Sequence, residues 1–222
     1  MRTSFDYPQK ITHIKNIAVM PADIKVYRIT MGGVREEMDE WSQTARVLIS
    51  ESLKQHLKTR YGFEIKFITE DWLKANHRDL WEDNRALFDA VSMNIFMHAY
   101  PGDNGFPSKM ENFDYTLGTE ISALAKVSEA DALLFVQGFD YEATTGRNVM
   151  AVFNVLVGAA IGVIPIYHDP IMLSLGLVDG ESGNVEWFKA TPADNSNSFL
   201  NKKQVEALVE WLTRDFVKTP AK

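Results

Sequence analysis

Residues 76–84, Asn-His-Arg-Asp-Leu-Trp-Glu-Asp-Asn, contain H-R-D-L-x-x-x-N, the spelling of the loop that carries a protein kinase's catalytic aspartate. That chemistry needs partners. A glycine-rich loop covers the phosphates, a strand lysine holds them, and a D-F-G aspartate carries magnesium. No G-x-G-x-x-G occurs in this chain, and no D-F-G follows Asn84. The local pattern also opposes a loop, because Leu80, Leu87 and Val91 recur at helical spacing. The stretch reads as the wet start of a helix. Asn76 or Asp79 lies near its N-cap, Asp83 and Arg85 face solvent, and Leu80 and Trp81 cover the core.

Other catalytic and metal chemistry is equally sparse. The histidines are His13, His56, His77, His98 and His168, and none forms H-E-x-x-H or H-x-H. His168 stands beside Asp169, but neighbours on a strand point to opposite faces and make a poor metal site. The chain has no cysteine, which excludes disulfides, cysteine-zinc sites and thiol catalysis. No G-x-S-x-G elbow and no P-loop is present, and no cofactor or metal is expected. Glu36-Glu37 and Asp179/Glu181 offer carboxylate pairs, but a helix N-terminus explains the first and a hairpin turn the second. Folding can gather scattered catalytic groups, so an enzyme stays open while a non-enzymatic role is favoured.

The formal net charge of −7 argues against general nucleic-acid binding, which needs a basic face for phosphates. The 45% hydrophobic content of the 222 residues supports a packed globule, not a disordered chain. The first ten residues are polar and lack the apolar core of a signal peptide.

The elements follow from periodicity. Residues 1–15 are expected to be a flexible lead-in or tether, and 16–222 a single α/β domain. Ile17 to Ile29 reads as one strand, bent or split at Pro21, with a turn at 31–33. Val34, Met38, Trp41, Ala45, Leu48, Leu53 and Leu57 lie along one stripe of a long helix that Gly62 would stop. Residues 63–69 alternate as a strand, 71–100 are helical, and 100–114 form a loop. A short helix leads to a buried strand over 131–143. Met172–Val178 and Val185–Phe188 form a late β-hairpin around a Gly-rich turn, and a C-terminal helix follows with Val205, Leu208, Leu212 and Phe216 on one face. The expected fold is therefore a mixed β-sheet flanked by helices.

Between the buried strand and the hairpin lies the most unusual stretch. From Asn148 to Tyr167 there is no charged residue. Val149–Tyr167 approaches the ~20 residues of a membrane-spanning helix, and Gly158 and Gly162 spell the close-packing motif G-x-x-x-G. A single span would separate two strands that read as parts of one sheet. Three readings stay open: a buried helix followed by a turn, a surface that packs on identical subunits, or a membrane-inserted hairpin. As an assembly surface the residues to expect are Val149, Phe153, Leu156, Gly158, Gly162 and Ile164.

Three stretches carry a family resemblance. They are IAVMPADIKVYRITMGGVREEMDEWSQTARVLISESL, ADALLFVQGFDYEATTGRN and LSLGLVDGESGNVEWF. Strand, Pro-Asp break, Gly turn and acidic helix, then a central strand entering a Gly/Ala-rich apolar segment, then a closing hairpin, resemble bacterial outer-membrane lipoproteins. The chain is similar to the curli-secretion-channel lipoproteins and to the N-terminal domain of TolB, over residues 16–60 and 130–190. The resemblance implies a periplasmic α/β domain, anchored to the outer membrane by an N-terminal lipid and acting by assembly in envelope export or transport. Its partners would be copies of itself or another envelope protein. The family brings no catalytic residues, and its lipid-bearing cysteine is absent here. A chain that begins just after that cysteine would look like this, and so would a cytoplasmic protein. The rival expectation is a small-molecule binder or enzyme with a pocket at the strand ends, walled by the 100–114 loop, Asp140 and Tyr141.

Overall fold

A strand that is apolar on both faces must be covered on both sides. The computed structural model meets that demand with a three-layer arrangement. It describes residues 1–30, 34–58, 63–100, 105–143, 171–191 and 197–216. In chain order the elements are β1 (Arg2–Thr3), α1 (Tyr7–Lys10), β2 (Asn16–Val19), β3 (Asp23–Ile29), β4 (Arg35–Glu37), α2 (Asp39–Lys58) and β5 (Glu64–Phe67). There follow α3 (Glu70–Asn76), α4 (Arg78–His98), α5 (Pro107–Glu111), α6 (Ile121–Val127), β6 (Ala132–Ala143), β7 (Met172–Asp179), β8 (Val185–Ala190) and α7 (Lys202–Thr213).

Among the described residues eight strands form one mixed sheet: six in the order β1-β8-β7-β6-β2-β5, with β3 beside β6 and β4 beside β3 off that path. β6 is its spine. On one side it pairs antiparallel with β7. On the other it pairs parallel with β2 and then, after the break at Pro21, with β3. The split expected at Pro21 therefore makes two strands that share one neighbour. The hairpin β7–β8 closes through a turn in which Gly183 has φ +74° and comes so near Gly118 that a Cβ would lie 2.0 Å from the Gly118 carbonyl oxygen. Only glycine fits there.

Side chains alternate across the sheet and fill two cores. Ile17, Val19, Leu134, Leu175 and Trp187 meet α1, α2 and α7 on one face. Ala18, Leu133, Phe135 and Phe188 meet α3, α4 and α6 on the other. Phe135 stacks under Phe88 of α4, with ring centroids 4.5 Å apart. Burying each such side chain contributes about 1.5–3 kcal/mol before the entropy of ordering it.

Four expectations are revised. The long helix does not begin at Val34: Arg35–Glu37 form β4, which pairs antiparallel with β3. Glu36 lies directly opposite Arg28 and ion-pairs with it, so the acids expected to favour a helix dipole serve a cross-strand pair. Only Asp39 and Glu40 remain in the first turn of α2. The helical stretch after β5 is two helices meeting at His77, whose backbone (φ −146°) leaves the helical region. The loop after α4 holds a short helix, α5, with Pro107 in its first turn. Residues 1–15, expected to be flexible, dock on the sheet instead. β1 pairs with β8, Tyr7, Ile11 and Ile14 are buried, and the Tyr7 hydroxyl donates to the Phe216 carbonyl. The turn at 31–33 and the stop at Gly62 lie outside the described residues.

β8 contains a surprise of composition. All six residues are buried, Glu186 and Lys189 among them. A bulge places Val185 opposite Val178 and Trp187 opposite Leu177, which leaves Glu186 as the extra residue. Glu186 then accepts from Lys10 Nζ at 2.6 Å and from the Ser4 hydroxyl. Lys189 ion-pairs with Asp215 at 3.0 Å and donates to the Trp211 carbonyl at 2.6 Å. Two buried charges thus bind the first and last segments of the chain to one strand.

Candidate functional site

β6 and β7 are adjacent and antiparallel, and their last pair is Phe139 with Met172. Neighbours of this kind need only a tight turn of two to five residues. Here the chain leaves β6 at Ala143 and enters β7 at Met172, and the intervening stretch includes the uncharged run. The candidate residues Val149, Phe153, Leu156, Gly158, Gly162 and Ile164 all lie in it, outside the described residues, as do His168 and Asp169. Its described flank is β6, which runs past β7 while still paired with β3 as far as Ala143 with Ile29. On one face of this projecting end, Tyr141 stacks on Tyr27 at 5.4 Å and lies under the Arg35 guanidinium at 4.7 Å.

The opposite face carries Asp140. Alternation along β6 points Asp140 and Tyr141 to different sides, so they cannot wall one pocket. Asp140 is buried, and its Oδ2 accepts from the Phe199 backbone N–H at 2.7 Å. Its Oδ1 is buried without a hydrogen-bond partner among the described residues. Burial pushes its carboxyl up to about 6, against the opposing pull of the Phe199 hydrogen bond. Glu142, two residues on, accepts from the Ser198 hydroxyl. The two carboxylates therefore hold the segment ahead of α7. The 105–114 part of the expected wall lies elsewhere, bound through the Lys109 and Met110 carbonyls to Arg2 of β1.

A crevice does open at strand ends, between β2 and β5. At their carboxyl ends β2 continues past Pro21 into β3 of the same sheet, while β5 leads into α3. The gap is about 340 Å³ and runs from Met20, Pro21 and Ala22 past Phe67, Ile68 and Thr69. The α2 side of it presents Arg46, Ser50, Glu51 and Lys54. Sequence reasoning missed it, since nothing in the α2 pattern sets Arg46 apart from an ordinary surface arginine.

The kinase-like stretch is helical, as its periodicity predicts. Trp81 is buried, and Asn84 uses its side-chain amide on the Leu80 carbonyl. The cap is His77, not Asn76 or Asp79. Among the described residues no group of three or more His, Asp and Glu could hold a metal ion. Nor is any described helix long and apolar enough to cross a membrane.

No protein-family model matches the chain, and no curated protein matches its sequence. Solved structures do. The PelC dodecamer from Paraburkholderia phytofirmans aligns over 90% of this chain and 84% of its own, at TM-score 0.38 and 9% identity. Lipoprotein GNA1162 from Neisseria meningitidis aligns over 91% and 97%, at TM-score 0.34 and 12% identity. The LpoB C-terminal domain from Salmonella enterica aligns over 85% and 93%, at TM-score 0.28 and 11% identity. All three likenesses are distant. At these scores the likeness concerns the course of the chain, and no residue's role is carried across.

Proposed function

We propose that this is a non-enzymatic, periplasm-facing lipoprotein domain that works by assembly, with copies of itself or with an envelope partner. One observation carries the assembly part. An uncharged run is inserted between two strands that a tight turn could join. An apolar run longer than the joint between two strands needs supports a role in contact with another body. The flank agrees, because β6 projects beyond β7 and brings aromatic rings to the base of the insertion. Anchoring in the outer membrane through an N-terminal lipid, and a part in export or transport, are supported by the three stretches that resemble the lipoproteins.

Gly158→Leu tests the contact surface. Sedimentation velocity should show weaker self-association with an unchanged circular dichroism spectrum. A monomer for both proteins would remove self-assembly through this segment. The tether is tested by the intact mass of the N-terminal peptide taken from membranes of the native host. A triacylated cysteine ahead of Arg2 is expected, and an unmodified Met1 in the soluble fraction would remove the anchor.

A further inference from the structure

The crevice between β2 and β5 is not used by the assembly reading. Open α/β sheets hold ligands in crevices outside the carboxyl ends of their strands, and β2 and β5 both end at this one. Its volume of about 340 Å³ falls at the small end for such pockets. The floor is apolar, with Met20, Leu53 and Val136 buried beneath it. Arg46, Ser50 and Lys54 line the α2 wall at steps of four, on one stripe of the helix.

The wall carries two cations with particular surroundings. Nε of Arg46 is buried and has no hydrogen-bond partner among the described residues. Nε is out of a ligand's reach, so an anion in the crevice would meet the guanidinium through its terminal nitrogens, in charge-assisted hydrogen bonds. Nζ of Lys54 lies 5.3 Å from the centroid of the Phe67 ring, which lines the same crevice. Of the acids nearby, Glu70 is engaged by Lys74 at 2.8 Å, and Glu51 stands at the exposed rim.

We propose that this crevice binds a small amphipathic anion, a short apolar chain ending in a carboxylate or phosphate. The head group would meet Arg46 and Lys54 while the chain lies on Met20, Leu53 and Val136. This goes beyond the assembly reading and does not depend on it.

The test is a titration of the full ¹⁵N-labelled chain with sodium hexanoate, with hexyl phosphate and with hexylamine, followed by amide chemical shifts. One or both anions should give saturable shifts at Ala22, Phe67 and Thr69, and the amine none. Response to only one anion identifies the head group. Arg46→Met should weaken binding about tenfold or more, since it removes charge-assisted hydrogen bonds. Lys54→Met serves the same purpose if Arg46→Met fails to fold. The proposal is overturned if neither anion gives saturable shifts. Equal binding of the amine, or undiminished affinity in the folded variants, overturns it too.

Discussion

The backbone N–H of Phe199 donates to Oδ2 of Asp140 at 2.7 Å, which ties the segment ahead of α7 to the far end of β6. The bond is made to a carboxylate whose other oxygen has no partner among the described residues. Burial raises this carboxyl from 3.8 to about 6, and the negative charge of Glu142 adds to the rise.

That shift sets a pH dependence. A group whose pKa is higher in the folded state takes up its proton preferentially in that state. Its contribution to stability is full below the unfolded value near 3.8 and is lost as pH rises through about 6. Asp140→Asn abolishes the titration. The stability difference between pH 4.5 and pH 8 should change by about 1–3 kcal/mol relative to the parent, with the variant losing less on going to pH 8. Urea denaturation at several pH values between those limits measures it.

Gly176 lies on β7 beneath Phe88. A Cβ there would come within 2.6 Å of the Phe88 ring. The ring cannot retreat easily, because it stacks on Phe135 at 4.5 Å. Gly176→Ala should destabilise the fold by about 1–3 kcal/mol through overpacking. Adding Phe88→Leu should recover part of that loss, and a double-mutant cycle by urea denaturation reads the coupling.

Lys189 is the buried cation that holds α7. Its side chain is 4% exposed, against 35% for its partner Asp215, so Asp215 can turn to water when the pair is broken. The Trp211 carbonyl loses the same donor. Lys189→Met keeps the apolar stem and removes the ammonium. Stability should fall by about 1–3 kcal/mol. Hydrogen exchange should rise first in α7, and uniform exchange across all elements would contradict this anchoring role.

Much of the fold is legible in the residues because a simple rule applies locally. Alternation gives β5, β7 and β8, the continuous apolar start gives β6, and helical spacing gives α2, α4 and α7. β4 escapes because Arg35, Glu36 and Glu37 are exposed edge residues without alternation, and acids before a helix read as its first turn. α1 escapes because four residues are too few for a period. Glu186 and Lys189 look solvent-facing, and only the bulge and the docked chain ends make them internal. The site is less legible. Asp140 and Tyr141 are neighbours in sequence but are split by the pleat, and the β2–β5 crevice depends on a crossover that no local pattern records.

On the proposed reading, the uncharged insertion between β6 and β7 serves assembly and not the fold. The most direct measurement replaces residues 149–167 with a short Gly-Ser turn and compares the two proteins by sedimentation velocity and thermal melting. The parent should sediment as an oligomer, and the shortened chain as a monomer with its cooperative melt retained. A shortened chain that keeps the parent's mass, or that no longer folds, would contradict it.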